Sequence, residues 1–198
     1  AACWSFYLNK IVHGEEGGGI AFRDTQTASA QRARQLRNLA FTEAHDFRHL
    51  PRGHNYRLAD LLATSILKSL RRIEDNLEKR REIEGWYSTC SPTAWMMPPR
   101  DVVWVYDLRI PGMTRIQQTH LVSILNREGY AARHSFWPIH FQEEYKHCLS
   151  WSGDKALRAA GEVFYLPVTP GLVAEERARN TMVMVQEIVS SFAERESP

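Results

Sequence analysis

Lys10 closes a short aromatic run, SFYLNK (5–10), and a cluster of glycines, GEEGGG (14–19), follows it. A lysine held between a strand-like segment and such a turn loses part of its hydration. Its pKa then falls, and the neutral amine can form an imine with an aldehyde such as pyridoxal phosphate. Ser5, on the same short element, offers a hydroxyl to a phosphate group. Taken alone, the lysine also fits a solvated surface charge. A second group is GHNYRLAD (53–60), where Asn55 and Arg57 stand near the first turn of a helix. Open backbone donors and the positive end of the helix dipole favour anions there, and an arginine suits two-pronged recognition of carboxylate or phosphate. Taken alone, the pattern reads first as a helix-capping arrangement. A third is ARHSFWPIHFQEEYKH (132–147), in which His134, His140 and His147 follow one another at intervals of six and seven. Those intervals do not match the helical pairing of common metal sites, and a histidine beside aromatics also fits simple packing.

The elements that must carry these residues follow from periodicity. Residues 3–8 read as a buried strand and GIAF (19–22) as another, with Asp24 and Thr25 as turn or cap residues. A helix is expected over 26–40, then a long polar loop at 43–56 rich in histidine and aromatics, a length more often functional than idle. Over 58–87, Leu62, Ile66, Leu70, Ile73 and Leu77 step by four, four, three and four, which predicts one long helix with a single apolar stripe facing a core. SPTAWMMPPRD (91–101) marks a linker, VVWVYDLRI (102–110) a strand, and TRIQQTHLVSILNREG (114–129) a helix capped by Gly129. A strand near 131–136, a short helix near 154–161, a turn at FYLPVTPG (164–171) and a closing helix over 173–193 complete the order. In that last helix Ala178, Met182, Val185, Val189 and Phe192 form the buried stripe.

With 198 residues, of which 43% are apolar and 24% charged, the chain has the composition of a packed globular protein with one good core or two small ones. A net charge of +2 gives no reason to invoke nucleic acid. The basic clusters RARQLR (32–37), KSLRR (68–72) and EKRRE (78–82) read as solvated helical faces. Cys3, Cys90 and Cys148 are odd in number and widely spaced, which suggests neither a disulfide framework nor a zinc site and fits a reducing cytoplasm. No run approaches the roughly 18 apolar residues of a membrane span. A buried strand is an unusual way to begin a chain, so the start AACWSFYL implies a further part of the protein preceding Ala1 in space.

Taken together, these stretches resemble the C-terminal half of the DegT/DnrJ/StrS-type aminotransferases, pyridoxal-phosphate enzymes that place amino groups on nucleotide-linked keto sugars. The family's serine, two aromatics and lysine, then a Gly-Glu-Gly-Gly turn, appear as SFYLNK (5–10) and GEEGG (14–18), with Glu15 where the turn has its first glycine. Its Asn-Tyr-Arg run appears as NYRLAD (55–60). Its leucine-rich helix leading to a basic stretch and a tyrosine appears as LKSLRRIEDNLEKRREIEGWY (67–87). PIHFQEEY (138–145) and LPVTPGL (166–172) match two later motifs, so the likeness runs along essentially the whole chain in order.

The resemblance implies an α/β fold of the aspartate-aminotransferase-like fold type I. Residues 1–75 would form the C-terminal part of the large cofactor-binding domain and 76–198 a small C-terminal α/β domain. It implies pyridoxal 5′-phosphate as cofactor, Lys10 as the lysine that binds it and then moves the proton, Ser5 and Asn55 as phosphate ligands, Arg57 near the carboxylate of a donor such as glutamate, and His140 on the substrate side. Asn55 would serve the site of a neighbouring subunit, which implies a dimer or higher oligomer. The partners implied are the N-terminal half of the enzyme, the nucleotide-sugar substrate and the amino donor, with neither nucleic acid nor membrane. The residues that flank the cofactor ring are placed by the resemblance in a front half before Lys10. Two alternatives stay open: transfer to another ketone or aldehyde, and a truncated, non-catalytic interaction subunit.

Overall fold

The structure is a computed structural model that describes residues 1–23, 27–41, 47–49, 52–148 and 153–195. Asp24 and Thr25, and residues 43–46 and 50–51 of the polar loop, lie outside the described residues. The chain divides into two compact units, Ala1–Asp75 and Asn76–Pro198.

In the first unit, β1 (Ala2–Ser5) pairs antiparallel with β2 (Gly18–Ala21) in the register Ala2 opposite Ala21 and Ser5 opposite Gly18. Backbone bonds from Phe6 to Gly17 (2.9 Å) and from Leu8 to Glu15 (3.1 Å) continue the pairing past the ladder, so residues 9–14 form the tip of a hairpin. The helix α1 (Ala28–Arg37) begins at Thr27, whose hydroxyl accepts from the Ala30 N–H. The helix α2 (Asp60–Leu70) follows.

The expected single helix over 58–87 is two. After α2 the chain turns at Arg71 and Arg72 and restarts as α3 (Ile73–Cys90). No proline or glycine stands at the break. The two helices bury different faces: α2 turns Ile66 and Ser69 inward, and α3 turns Arg80, Ile83 and Tyr87 inward. The predicted stripe is accordingly core only in part, since Ile66 is buried while Leu70 is exposed. Arg80, read from sequence as part of a solvated basic face, is buried. Its guanidinium donates to the Trp104 carbonyl (2.9 Å), burial lowers its pKa, and its Nε has no hydrogen-bond partner among the described residues.

The second unit holds a three-stranded antiparallel sheet in the order β3 (Tyr106–Arg109), β5 (Val163–Leu166), β4 (Arg133–His134). Against it pack α4 (Arg115–Arg127) and α5 (Gly153–Glu162), and α6 (Glu175–Arg195) packs on α4 and joins the same core. The central strand β5 is where the sequence suggests only a turn. Nearby Pro167, Pro170 and Gly171 dominate the local signal, yet Phe164 and Leu166 alternate into the core and are fully buried. Thr114 and Gln117 close a capping box at the start of α4, and Gly129 ends it with φ 84°, as the sequence predicts. Leu108, Leu121, Leu125, Phe164, Met182 and Val185 are at the centre of the core. At the predicted α6 stripe Ala178, Met182 and Val185 are buried, with Val189 and Phe192 packed at its margin.

Candidate functional site

Lys10 sits at the hairpin tip, half-buried, with its N–H bonded to the Tyr7 carbonyl (2.9 Å) in a tight turn. Two features of α2 hold this tip. The Ser69 hydroxyl accepts from the His13 N–H (3.1 Å) and donates to the Ile11 carbonyl (3.4 Å). Gly14 is buried against the same helix, where a Cβ would run into Ile66 and reach the Leu62 carbonyl. The glycine is therefore needed for the approach of a helix. The left-handed conformations that turn the chain back are taken by Glu15 (φ 72°) and Gly17 (φ 127°). Sequence reasoning missed Ser69. The signal available was a serine three residues after Ile66, on the inward face of the helix.

Ser5 ends β1 with its side chain exposed, and its oxygen accepts from the Tyr7 N–H (3.3 Å). That bond uses a lone pair and leaves the hydroxyl hydrogen for an outside acceptor. Asn55 and Arg57 are both exposed and lie along the end of α1. The backbone there is fixed by bonds from His54 to Leu36 (2.8 Å), Leu39 to His54 (3.0 Å) and Tyr56 to Arg37 (3.0 Å), with Asn38 bridged to Asn55. The Arg57 guanidinium donates through one nitrogen to the Asn38 side-chain oxygen (2.9 Å), which orients the fork. Gly53 admits the turn, because a Cβ there would collide with the backbone of Leu39 and Ala40. Ser5, Lys10, Asn55 and Arg57 thus share the first unit.

His140 belongs to the second unit, in the one-turn 3₁₀ helix Ile139–Phe141. Its ring packs on Phe141 (4.7 Å between centroids), and its Nε2 is buried without a hydrogen-bond partner among the described residues. His134 takes a different place. It stands on β4 with Nδ1 3.0 Å from the Gln118 side-chain oxygen, and burial, assisted by Arg115, lowers its pKa. Among the described residues no cluster of three metal-ligating side chains occurs, and no helix is long and apolar enough to cross a membrane.

A primary amine on a braced turn and a hydroxyl with its hydrogen available, both on one hairpin, form a donor set that fits an aldehyde-bearing phosphate ester. Comparison with known proteins bears on the same chemistry. The model of the DegT/DnrJ/EryC1/StrS aminotransferase family matches residues 1–185. GDP-perosamine synthase of Caulobacter vibrioides is 26% identical over 95% of this chain and 52% of its own length. The dTDP-3-amino-3,4,6-trideoxy-alpha-D-glucose transaminase of Micromonospora megalomicea is 27% identical over 97% of this chain and 53% of its own. The chain spans about half the length of these curated relatives. Among solved structures, the aminotransferase TlmJ from Streptoalloteichus hindustanus superposes with a TM-score of 0.79 at 25% identity, covering 96% of this chain and 52% of TlmJ. PseC from Helicobacter pylori, an aminotransferase involved in the biosynthesis of pseudoaminic acid, gives 0.82 at 18% identity over 96% and 53%. The α/β fold is that of about half of a fold-type I transferase.

Proposed function

Since this chain belongs to the DegT/DnrJ/EryC1/StrS aminotransferase family, we propose that it is the lysine-bearing half of a pyridoxal-phosphate aminotransferase that transfers an amino group, with glutamate as donor, to a nucleotide-linked keto sugar. The observation that carries this reading is the placement of Lys10 on a hairpin tip braced by Ser69 and Gly14, with Ser5 at the base of the same hairpin. Relatives named for a GDP-linked and a dTDP-linked sugar support the nucleotide-sugar acceptor.

In this reading the Lys10 amine holds the cofactor and then takes a proton at Nζ from the amino-bearing carbon of the donor and returns it on the acceptor side. Pyridoxal phosphate, when bound, supplies the electron sink that makes that carbon acidic. The Ser5 hydroxyl donates to the phosphate. Asn55 donates to the phosphate of a neighbouring subunit's site, and Arg57, already oriented by Asn38, binds the donor carboxylate. His140 lines the acceptor side. Residues 1–75 are the end of the cofactor-binding domain and 76–198 the small domain. The remaining half of the enzyme covers the exposed apolar residues of the first unit, among them Trp4, Tyr7, Leu8 and Ile20, and the assembly is a dimer in a reducing cytoplasm.

The test is chemical labelling. The assembled protein incubated with pyridoxal phosphate should turn yellow, and borohydride reduction should fix the pyridoxyl group on the peptide containing Lys10. Lys10→Ala should take up no label. Recovery of the label on another lysine overturns the assignment.

A further inference from the structure

We propose that Arg115 is a positioning residue for His140, acting through the edge-on rings of Trp137 and Phe141, and that it thereby sets recognition of the amino-group acceptor. The second half of this inference rests on the reading of His140 given above.

The run is continuous and lies wholly within the second unit. The Arg115 guanidinium carbon stands 5.2 Å from the centroid of the Trp137 ring. Trp137 meets Phe141 edge-on at 5.8 Å, and Phe141 lies 4.7 Å from the His140 imidazole at an interplanar angle of 48°. Trp137 and Phe141 are each 39% exposed, so solvent borders them on one side and Arg115 supplies a charged, planar support on another. The 3₁₀ turn itself is closed by short backbone bonds, Phe141 to Pro138 (2.9 Å) and Gln142 to Ile139 (3.0 Å).

Arg115 is in turn fixed from behind. It donates to the Gln118 side-chain oxygen (2.6 Å) and to the Ala160 carbonyl (2.9 Å). Gln118 is fully buried and anchors itself by donating to the carbonyls of Ala160 and Gly161 (2.9 Å each). Pinned at one nitrogen, the guanidinium stands over the indole ring within cation–π distance, and a lysine ammonium lacks its planar, pre-organised donors. At the far end of the run, His140 Nε2 is buried with no partner among the described residues, a polar atom whose position depends on the rings around it.

The experiment uses the complete, pyridoxal-phosphate-loaded enzyme with Arg115→Met, Arg115→Lys and Trp137→Leu. The His140 signal is followed by NMR of ring-labelled histidine and assigned with His140→Gln. KM and kcat are measured for glutamate and for a panel of GDP- and dTDP-linked keto sugars. Arg115→Met should shift or broaden the His140 signal and raise the acceptor KM about three- to tenfold, the range expected for loss of one cation–π contact, with the glutamate constants unchanged. Arg115→Lys should fall between it and wild type. Should Arg115→Met fail to fold, Trp137→Leu breaks the same run without touching α4. A His140 signal unmoved by Arg115→Met and Trp137→Leu overturns the inference, as does a parallel loss in both substrates' constants, which marks a merely structural role. A moved signal with unchanged acceptor KM upholds the positioning run and overturns the role of His140 in acceptor recognition.

Discussion

Ser69 on α2 holds the hairpin tip at His13 and at Ile11, across 56 and 58 residues of sequence, and so fixes the turn that presents Lys10. Both bonds are made by a single buried hydroxyl. Ser69→Ala should destabilise the protein by about 1–3 kcal/mol, the cost of stranding buried backbone partners. The loss should be local. Amide exchange at residues 9–14 should accelerate while that of the second-unit core stays slow, and Ser69→Thr should restore most of the protection.

Glu15 holds a left-handed φ of 72° at the position where the resembled turn carries glycine. For a residue with a Cβ this costs about 1–2 kcal/mol, offset in a glycine variant by about 0.5–1 kcal/mol of extra unfolded-chain entropy. Glu15→Gly should therefore raise the urea midpoint by up to about 1 kcal/mol of stability, and Glu15→Val should lower it. A glycine variant less stable than wild type would show that the glutamate side chain makes a compensating contact.

Glu162 is buried and bonded to the Arg109 guanidinium (2.7 Å) and the Gly112 N–H (3.1 Å). Burial pushes its carboxyl up, but the Gly112 and Arg109 bonds outweigh that and hold it below the ordinary carboxylate value. A depressed folded pKa contributes stability above the unfolded value, about 4.3, and loses it as pH falls through the folded pKa. Glu162→Gln should thus lower the melting temperature at pH 7, and the gap from wild type should narrow below about pH 4. A gap constant from pH 7 to pH 3 would remove the ionic part of the argument.

Shared sites give a mixing test. If Lys10 and Asn55 act on one cofactor from two subunits, combining Lys10→Ala and Asn55→Ala proteins under subunit exchange creates one intact site in each mixed dimer. Activity should rise toward about a quarter of wild type, because about half of the dimers are mixed and each has one good site of two. No gain on mixing means both residues act within one subunit, and leaves the lysine chemistry standing.

The amino-acid sequence alone determined the elements with strong periodicity or clear punctuation, and the motifs in order along the chain. The helix at Arg115–Arg127 with its threonine cap and glycine stop, and the inward Ala178, Met182 and Val185 of α6, follow from local rules that need no partner. The residues proposed to carry the chemistry, Lys10 and Ser5 above all, are visible as types and spacings. Tertiary structure decided the rest. The long helix divides at Arg71 because two faces must pack in two places, a demand no local residue encodes. Val163–Leu166 becomes a central strand only because Tyr106–Arg109 and Arg133–His134 bond to its two edges. Ser69, Gln118 and Arg115 were invisible as supports because what each does depends on atoms more than forty residues away, at Ile11 and His13 or at Ala160. A sequence displays which groups can react through their chemistry, but which groups hold them is set by distances that exist only after the chain has folded.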